Sequence, residues 1–192
     1  MAAVGLFGIV VVVGFFGLIL VVALWLMAVY NGLVRLRNEV ENAWSQIDVQ
    51  LKRRHDLIPN LLETVKGYMK HERETLENIT LARSQAMGAK GVHEQAQAEN
   101  MLTQALGGLR VAVEAYPDLK ASQNFMQLQE ELTSTENKIS FARQYYNDGV
   151  MRYNTSLQSF PNNMVAGPFG FKEREFFEIE EPAQREVPKV QF

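Results

Sequence analysis

An uncharged apolar segment at the start of the chain limits its possible folds more than any other feature. Residues 1–34 contain no Asp, Glu, Lys, Arg or His, whereas the 19 basic and 22 acidic residues all lie from Arg35 onward. The stretch VGLFGIVVVVGFFGLILVVALWLMAVY (4–30) would be roughly 40 Å long as a helix, against about 30 Å of membrane hydrocarbon. Because it has neither the basic start nor the short core of a signal peptide, it predicts a retained transmembrane anchor within residues 1–32.

The residues that flank this segment predict its orientation. Trp25 and Tyr30 fall near its C-terminal end, where aromatic side chains favour the membrane interface, and Arg35 and Arg37 follow directly. No basic residue precedes the segment. The positive-inside rule therefore predicts a single-pass protein with its N-terminus outside and residues 35–192 in the cytoplasm.

Apolar residues continue at helical spacing beyond the anchor. Steps averaging about 3.5 residues predict one long, coiled-coil-like helix to about Gln85, kinked or divided at Pro59 and followed by a turn at 87–91. The members of this stripe are Leu33, Val40, Trp44, Ile47, Leu51, Ile58, Leu61, Val65, Leu76 and Ile79. A second helix is predicted over about 92–115, in which Gly107-Gly108 would permit a close helix crossing.

A third helix is predicted from Pro117-Asp118 to Pro161 by the most regular stripe in the chain. Its members are Phe125, Leu128, Leu132, Thr135, Ile139, Ala142, Tyr146, Gly149, Tyr153, Leu157 and Phe160. No long β pattern occurs in the sequence. The fold class is therefore all-α, with one transmembrane helix continuing into a long-helix antiparallel bundle of three to four helices over 33–161.

The C-terminal segment 162–192 differs in composition from the helices. Four of its five phenylalanines lie close together at Phe169, Phe171, Phe176 and Phe177. These side chains are too apolar for a purely solvated tail, so we expect them to dock on the bundle or on a neighbouring subunit. The end of the tail, EEPAQREVPKVQF (180–192) with Pro182 and Pro188, is expected to be mobile.

Little in the sequence supports catalysis. The chain has no cysteine, which excludes disulfides, thiolate zinc sites and cysteine nucleophiles. Its histidines, His55, His71 and His93, lack metal-ligand spacing, and no GxSxG motif or phosphate-binding loop occurs. The net charge of −3 gives no support for nucleic-acid binding. We therefore expect no enzymatic activity, metal, cofactor or nucleic-acid partner.

The stretch QLKRRHDLIPNLLETVKGYMKHERETL (50–76) holds the densest mixture of charges. Arg53, Arg54, His55 and Asp56 occupy successive positions, so on a helix they point in four directions and cannot all converge on one substrate. The alternatives are a solvated helix face near a proline kink, a protein-contact surface and a catalytic cluster. These residues alone leave the three open.

Three stretches resemble the LemA family: YNGLVRLRNEVENAWSQIDVQLKRRHDLIPNLLETVKGYMKHERETL (30–76), QLQEELTSTENKISFARQYYNDGVMRYNTSLQSFP (127–161) and GFKEREFFEIEE (170–181). The resemblance implies a bacterial-type inner (plasma) membrane protein with a short external N-terminus and a cytoplasmic helical domain. It implies no established enzymatic activity, and one branch of the family is associated with magnetosome membranes.

The family's characteristic positions supply candidates for a helix or subunit interface. These candidates are Trp44, Asp48, Arg53, Arg54, Asp56, Pro59, Asn60, Glu130, Glu136, Arg143, Tyr146 and Asn147. Among them, we predict that Arg53 or Arg54 pairs with Glu130 or Glu136 and ties the first helix to the third.

Three functional hypotheses follow. The first is a membrane-anchored scaffold that self-associates as a homo-oligomer. The apolar stripe is longer than the helices predicted to pack on it, so apolar surface is left over that identical copies of the chain could bury. The alternative is a monomeric adaptor whose bundle binds another envelope or membrane protein. A third, a cryptic enzyme or ion-conducting assembly, is disfavoured because the anchor has no charged residue to line an ion path.

Overall fold

The described part of the protein is helical throughout. The computed structural model describes residues 2–69 and 71–178, with side chains from Val12 onward. The helices are α1 (Ala2–Lys66), α2 (Arg73–Gly88), α3 (Val92–Val113), α4 (Pro117–Lys120), α5 (Gln123–Gln158) and α6 (Asn163–Ala166). They pack as a helical bundle, and no strand occurs within the described ranges, so the all-α prediction is confirmed. The predicted mobile end, 180–192 with Pro182 and Pro188, lies outside the described residues.

The described chain forms two packing units. Unit 1 comprises residues 2–42 and 148–174, and unit 2 comprises residues 43–147 and 175–178 apart from residue 70. Both α1 and α5 contribute residues to each unit. The ranges 1–32, 33–161 and 162–192 stay a prediction about the chain's domains.

The N-terminal part of α1 has the length and apolarity to cross a membrane, and it is the single such helix in the described part of the chain. From Val12 to Ala28 every side chain is exposed. Apolar side chains left exposed on every helical face would be unstable in water but suit a lipid environment. This helix therefore indicates a membrane protein.

The α1 helix ends at Lys66, so the prediction of one helix to about Gln85 is wrong, and so is the alternative that Pro59 divides the helix. The kink at Pro59 stays a prediction. Pro59 lies inside α1, and the helix continues for two turns beyond it. The chain leaves the helix at Gly67, where the N–H groups of Tyr68 and Met69 both donate to the Val65 carbonyl at 3.0 Å. Glycine disfavours helix continuation because it loses the most backbone entropy there.

The core of unit 2 joins the C-terminal half of α1 to α2, α3 and the start of α5. It includes Ile58, Leu61, Val65, Ile79, Ala82, Leu102, Leu109, Leu119, Phe125 and Leu132. The structure divides the predicted stripe from Leu33 to Ile79 between α1 and α2, and every member is buried except Trp44, which is half-buried. This chain therefore covers its own stripe, and self-association would require a different surface.

Two further expectations are wrong. A Cβ added at Gly107 or Gly108 would meet no atom within 4 Å, so the glycine pair does not mark a close helix crossing. Phe160 is 79% exposed because α5 ends two residues earlier, at Gln158, and its predicted stripe ends with it. The second helix itself, predicted over about 92–115, is confirmed as α3.

Candidate functional site

Three ionisable side chains are buried together in unit 2. Arg54 and His55 on α1 are 3% and 7% exposed, and Glu99 on α3 is 5% exposed. Removing charged groups from water costs several kcal/mol each unless they are paired and hydrogen-bonded. This burial corrects the interpretation of 50–76 as a solvated face, which holds for Arg53 and Asp56 but not for their two neighbours.

Arg54 uses both terminal nitrogens of its guanidinium group on α3. Its Nη2 donates to the Glu99 carboxylate and, at 3.1 Å, to the Glu99 backbone carbonyl. Its Nη1 donates to the Thr103 hydroxyl at 3.0 Å, and this hydroxyl donates in turn to the Glu99 carbonyl at 2.9 Å. The planar guanidinium group fits this set of acceptors, whereas a lysine ammonium would not reproduce its geometry.

The second carboxylate oxygen of Glu99 has two further contacts. It lies 2.8 Å from His55 Nε2 and accepts a hydrogen bond from Gln95 Nε2 at 2.9 Å. Burial by itself raises the pKa of the Glu99 carboxyl, but the contact with His55 and the charge of Arg54 outweigh burial and bring it below its ordinary value. Glu99 is therefore held as a carboxylate inside the bundle.

Pro59 accounts for another contact of this cluster. Proline has no N–H, so the carbonyl four residues earlier in a helix, here that of His55, loses its usual partner. Arg83 on α2 donates from Nε to this carbonyl at 2.7 Å. A proline inside α1 is thus tolerated because a side chain from a neighbouring helix replaces the missing hydrogen bond.

A cavity of about 160 Å³, lined by both polar and apolar side chains, adjoins the buried cluster. Its lining residues are Arg54, Ala96, Glu99, Asn100, Thr103, Glu136, Ile139, Ser140, Arg143 and Phe177. The Arg143 guanidinium lies 5.2 Å from the centre of the Phe177 ring. Burial, followed by the nearby charge of Arg54, lowers the pKa of Arg143 from its ordinary value.

The tail segment in unit 2 is held by side chains of α5 that contact its backbone. Asn147 accepts from the Phe177 N–H at 2.9 Å and donates to the Phe177 carbonyl at 3.3 Å. The Tyr146 hydroxyl donates to the Glu175 carbonyl at 2.8 Å. The Phe177 side chain is 1% exposed and packs beside Trp44, with ring centres 5.8 Å apart.

Unit 1 holds its part of the tail in the same manner. Asn154 accepts from the Arg174 N–H and donates to the Arg174 carbonyl, both at 2.9 Å. Phe171 is buried against Tyr30, with ring centres 5.6 Å apart, and the Arg37 guanidinium lies 5.6 Å from the centre of the Phe171 ring. Amide side chains that satisfy a peptide's N–H and C=O fix an extended segment largely independently of its sequence.

The structure brings only part of the predicted set together. Arg54, Arg143 and Glu136 line the cavity, and Tyr146 and Asn147 bind the tail. The candidates that are exposed are Trp25, Tyr30, Arg35, Asp48, Arg53, Asp56, Pro59, Asn60, Glu130, Phe169 and Phe176. Although it is exposed, the Phe169 ring contacts Tyr30, with ring centres 5.2 Å apart.

The predicted ion pairs have different partners in the structure. Arg53 lies 3.7 Å from Glu131 at an exposed position, and Arg54 pairs with Glu99. Glu136 lies 3.8 Å from Arg110. The pairing of Arg53 or Arg54 with Glu130 or Glu136 is therefore wrong, because Arg54 faces α3 and Arg53 meets α5 at Glu131.

Sequence reasoning missed Glu99, Arg83 and Thr103. One signal was present for Glu99, which precedes the buried Leu102 by three residues and Leu106 by seven and so lies on the apolar face of α3. Pro59 likewise signalled a carbonyl without a backbone partner. Nothing in the local sequence around Arg83 shows that its side chain meets that carbonyl.

The buried cluster of Arg54, His55 and Glu99 is chemically suited to pairing charges and to joining α1 to α3. The described residues contain no group of three or more His, Asp or Glu side chains that could hold a metal ion. Glu99 is saturated by its contacts with Arg54, His55 and Gln95. By contrast, the Arg143 guanidinium has no carboxylate partner among the described residues.

Comparison with known proteins gives consistent results. The LemA family model matches residues 43–192. Protein LemA of Metamycoplasma hominis is 31% identical over 137 residues, which cover 71% of this chain and 63% of that protein. Magnetosome protein MamQ 2 of Paramagnetospirillum magneticum is 24% identical over 82% of this chain and 67% of its own length. Magnetosome protein MamQ of Magnetospirillum gryphiswaldense is 23% identical with the same coverage. The match thus spans less than two thirds of the Metamycoplasma protein.

Proposed function

Because this chain belongs to the LemA family, we propose that it is a single-pass, membrane-anchored helical scaffold that self-associates and catalyses no reaction of its own. The membrane is the plasma membrane, with the N-terminus outside and unit 2 in the cytoplasm. Support for the anchor comes from the apolar part of α1, and support for the orientation comes from Arg35 and Arg37, which follow it directly.

The observation that carries the proposal is an exposed apolar groove in unit 2. Phe141 and Tyr145, one turn apart on α5, are 73% and 44% exposed, and Val49 on α1 is 61% exposed. They border a groove of about 570 Å³ whose lining is Ser45, Gln46, Val49, Gln50, Lys138, Phe141, Ala142 and Tyr145. Large exposed apolar side chains around a groove are typical of protein interaction sites.

The shape of this groove favours a second copy of the chain as its occupant. Phe141 projects beside an open groove, so each copy offers both a side chain to insert and a space to receive one. A twofold interface brings the same surface of two copies together and requires this kind of self-complementarity. Attachment to one membrane also confines the copies and raises their effective concentration.

The test is the mass of the detergent-solubilised full-length protein by light scattering at micromolar concentration. We expect a discrete oligomer, and we expect Phe141→Ser to shift it toward the monomer. Val111→Ser is the matched control, since Val111 is 75% exposed on α3 and does not line the groove. A strict monomer in the unsubstituted protein would overturn self-association.

The adaptor hypothesis predicts a different pattern in the same samples. A monomer that retains a stoichiometric membrane or envelope protein, lost in Phe141→Ser but kept in Val111→Ser, would assign the groove to a different partner. Self-association instead predicts that a differently tagged second copy is the captured protein.

The orientation of the chain in the membrane can be tested by thiol labelling, because the chain has no cysteine of its own. A single Ser134→Cys substitution at an exposed position of α5 supplies a unique labelling site. We expect a membrane-impermeant maleimide to label it only after the cells are permeabilised. Labelling in intact cells would reverse the proposed topology.

A further inference from the structure

Only one of the two guanidinium groups that line the cavity of unit 2 has a carboxylate partner among the described residues. The lining carries two cations, Arg54 and Arg143, and two carboxylates, Glu99 and Glu136. Arg54 and Glu99 neutralise each other, and Glu136 lies 3.8 Å from Arg110 outside the lining. The positive charge of Arg143 is left without a carboxylate among the described residues.

A buried hydrogen-bond donor at the cavity also lacks an acceptor among the described residues. Arg54 Nε is buried and has no hydrogen-bond partner within the described part of the chain. The half-buried Arg143 guanidinium lies 5.2 Å from the centre of the Phe177 ring, and the exposed Ser140 adds a hydroxyl group to the lining. Buried donors without acceptors are costly, and such groups call for an explanation such as a bound ion or ligand.

We propose that this cavity binds a small oxyanion, a free phosphate or carboxylate, between Arg54 Nε, Ser140 and the Arg143 guanidinium. The donors suit this class, because guanidinium groups form their strongest hydrogen bonds with carboxylate and phosphate oxygens. The cavity volume of about 160 Å³ leaves room for an ion of this size.

The burial and charge of the site favour an anion over further water. Arg143 is half-buried, and its pKa is lowered first by burial and second by the charge of Arg54. An anion between the two guanidinium groups would offset their mutual repulsion. Glu99 does not compete, because Arg54, His55 and Gln95 already engage its carboxylate. The site is independent of whether the protein self-associates.

The bound anion would also be linked to the tail. Phe177 forms one wall of the cavity, and Asn147 holds its backbone. An anion on Arg143 would therefore bind more tightly while Phe177 is docked, and binding would in turn stabilise the docked tail.

Isothermal titration calorimetry on the full-length protein tests the site directly. The detergent is a maltoside without phosphate or carboxylate groups, the probes are inorganic phosphate and acetate, and chloride at equal ionic strength is the reference. We expect at least one probe to bind beyond the chloride reference. Arg143→Gln should weaken that binding about tenfold or more, because it removes a charged hydrogen-bond donor.

Arg53→Gln is the matched control, since Arg53 lies on α1 beside Arg54 but is exposed and does not line the cavity. It should bind as the unsubstituted protein does. Absence of binding for both probes, or equal binding by Arg143→Gln and the unsubstituted protein, overturns the proposal.

If circular dichroism shows that Arg143→Gln is unfolded, Ser140→Ala and Arg143→Lys decide the question. Weakened binding by both variants supports the site, since Ser140→Ala removes one donor and Arg143→Lys keeps the charge but loses the planar geometry. Unchanged binding by both overturns it.

Discussion

The contact between Arg83 and the His55 carbonyl predicts an energetic coupling between Arg83 and Pro59. Arg83 Nε donates to this carbonyl at 2.7 Å, and hydrogen bonds to charged groups contribute about 1.5–3 kcal/mol. Arg83→Met should therefore lower the free energy of unfolding by about that amount. In a Pro59→Ala background, the backbone N–H of the introduced alanine can donate to the His55 carbonyl. The stability lost on Arg83→Met should then fall below about 1 kcal/mol.

The expected coupling is thus about 1–2 kcal/mol, measured as a double-mutant cycle on the full-length protein in detergent. Denaturant unfolding can be followed by the fluorescence of Trp44, which packs against Tyr146 with ring centres 5.5 Å apart. A Trp25→Phe background leaves Trp44 as the single tryptophan, since the chain has two.

Arg73→Met provides the control for this cycle. Arg73 lies on the same helix as Arg83, is exposed and pairs with Glu77 at 2.7 Å, so it should show no coupling to Pro59→Ala. If Arg83→Met and Pro59→Ala are additive within about 0.5 kcal/mol, the explanation of how α1 accommodates its proline is refuted.

Three further perturbations follow from the same packing. Glu99→Gln should cost about 3–5 kcal/mol, because Arg54 stays buried without its counter-charge. The pKa of the Glu99 carboxyl is lower in the folded state, because its contacts outweigh burial. The ionised Glu99 carboxylate therefore contributes its full stabilisation above about pH 4.3, the pKa of an unfolded-state glutamate. This stabilisation is lost as the pH falls through the pKa of the folded state, and Glu99→Gln should not show that loss. Asn147→Ala should release the backbone at Phe177, exposing the tail to limited proteolysis. Gly107→Ala should raise stability by about 0.8–1 kcal/mol, because the helical site is exposed and open.

Specific measurements would contradict these three predictions. A stability of Glu99→Gln equal to that of the parent in denaturant unfolding would contradict the buried pair, as would an unchanged acid-unfolding profile. Asn137→Ala, on an exposed position of α5, should leave the proteolysis pattern unaltered. A loss of stability in Gly107→Ala would indicate that a packed surface covers this glycine in the assembled protein.

The sequence alone was sufficient for features that depend on local pattern. The segment before Arg35 predicts a lipid-facing helix because no charged residue interrupts it, and the structure leaves its side chains from Val12 to Ala28 exposed. Helical periodicity predicted α3 and the buried stripe of α1, since both follow from the 3.6-residue repeat. The motifs that resemble the LemA family are sufficient to identify the family, whose model matches residues 43–192.

Tertiary structure decided which charges meet. Arg53 and Arg54 are equivalent in sequence, yet a rotation of about 100° per helical residue leaves one in solvent and turns the other toward Glu99, forty-five residues away. On local grounds Pro59 predicts the end of a helix, yet α1 continues to Lys66, and Arg83 from another helix supplies the missing hydrogen bond. Such outcomes depend on which helix faces lie side by side, and that juxtaposition is set by the packing of the whole bundle.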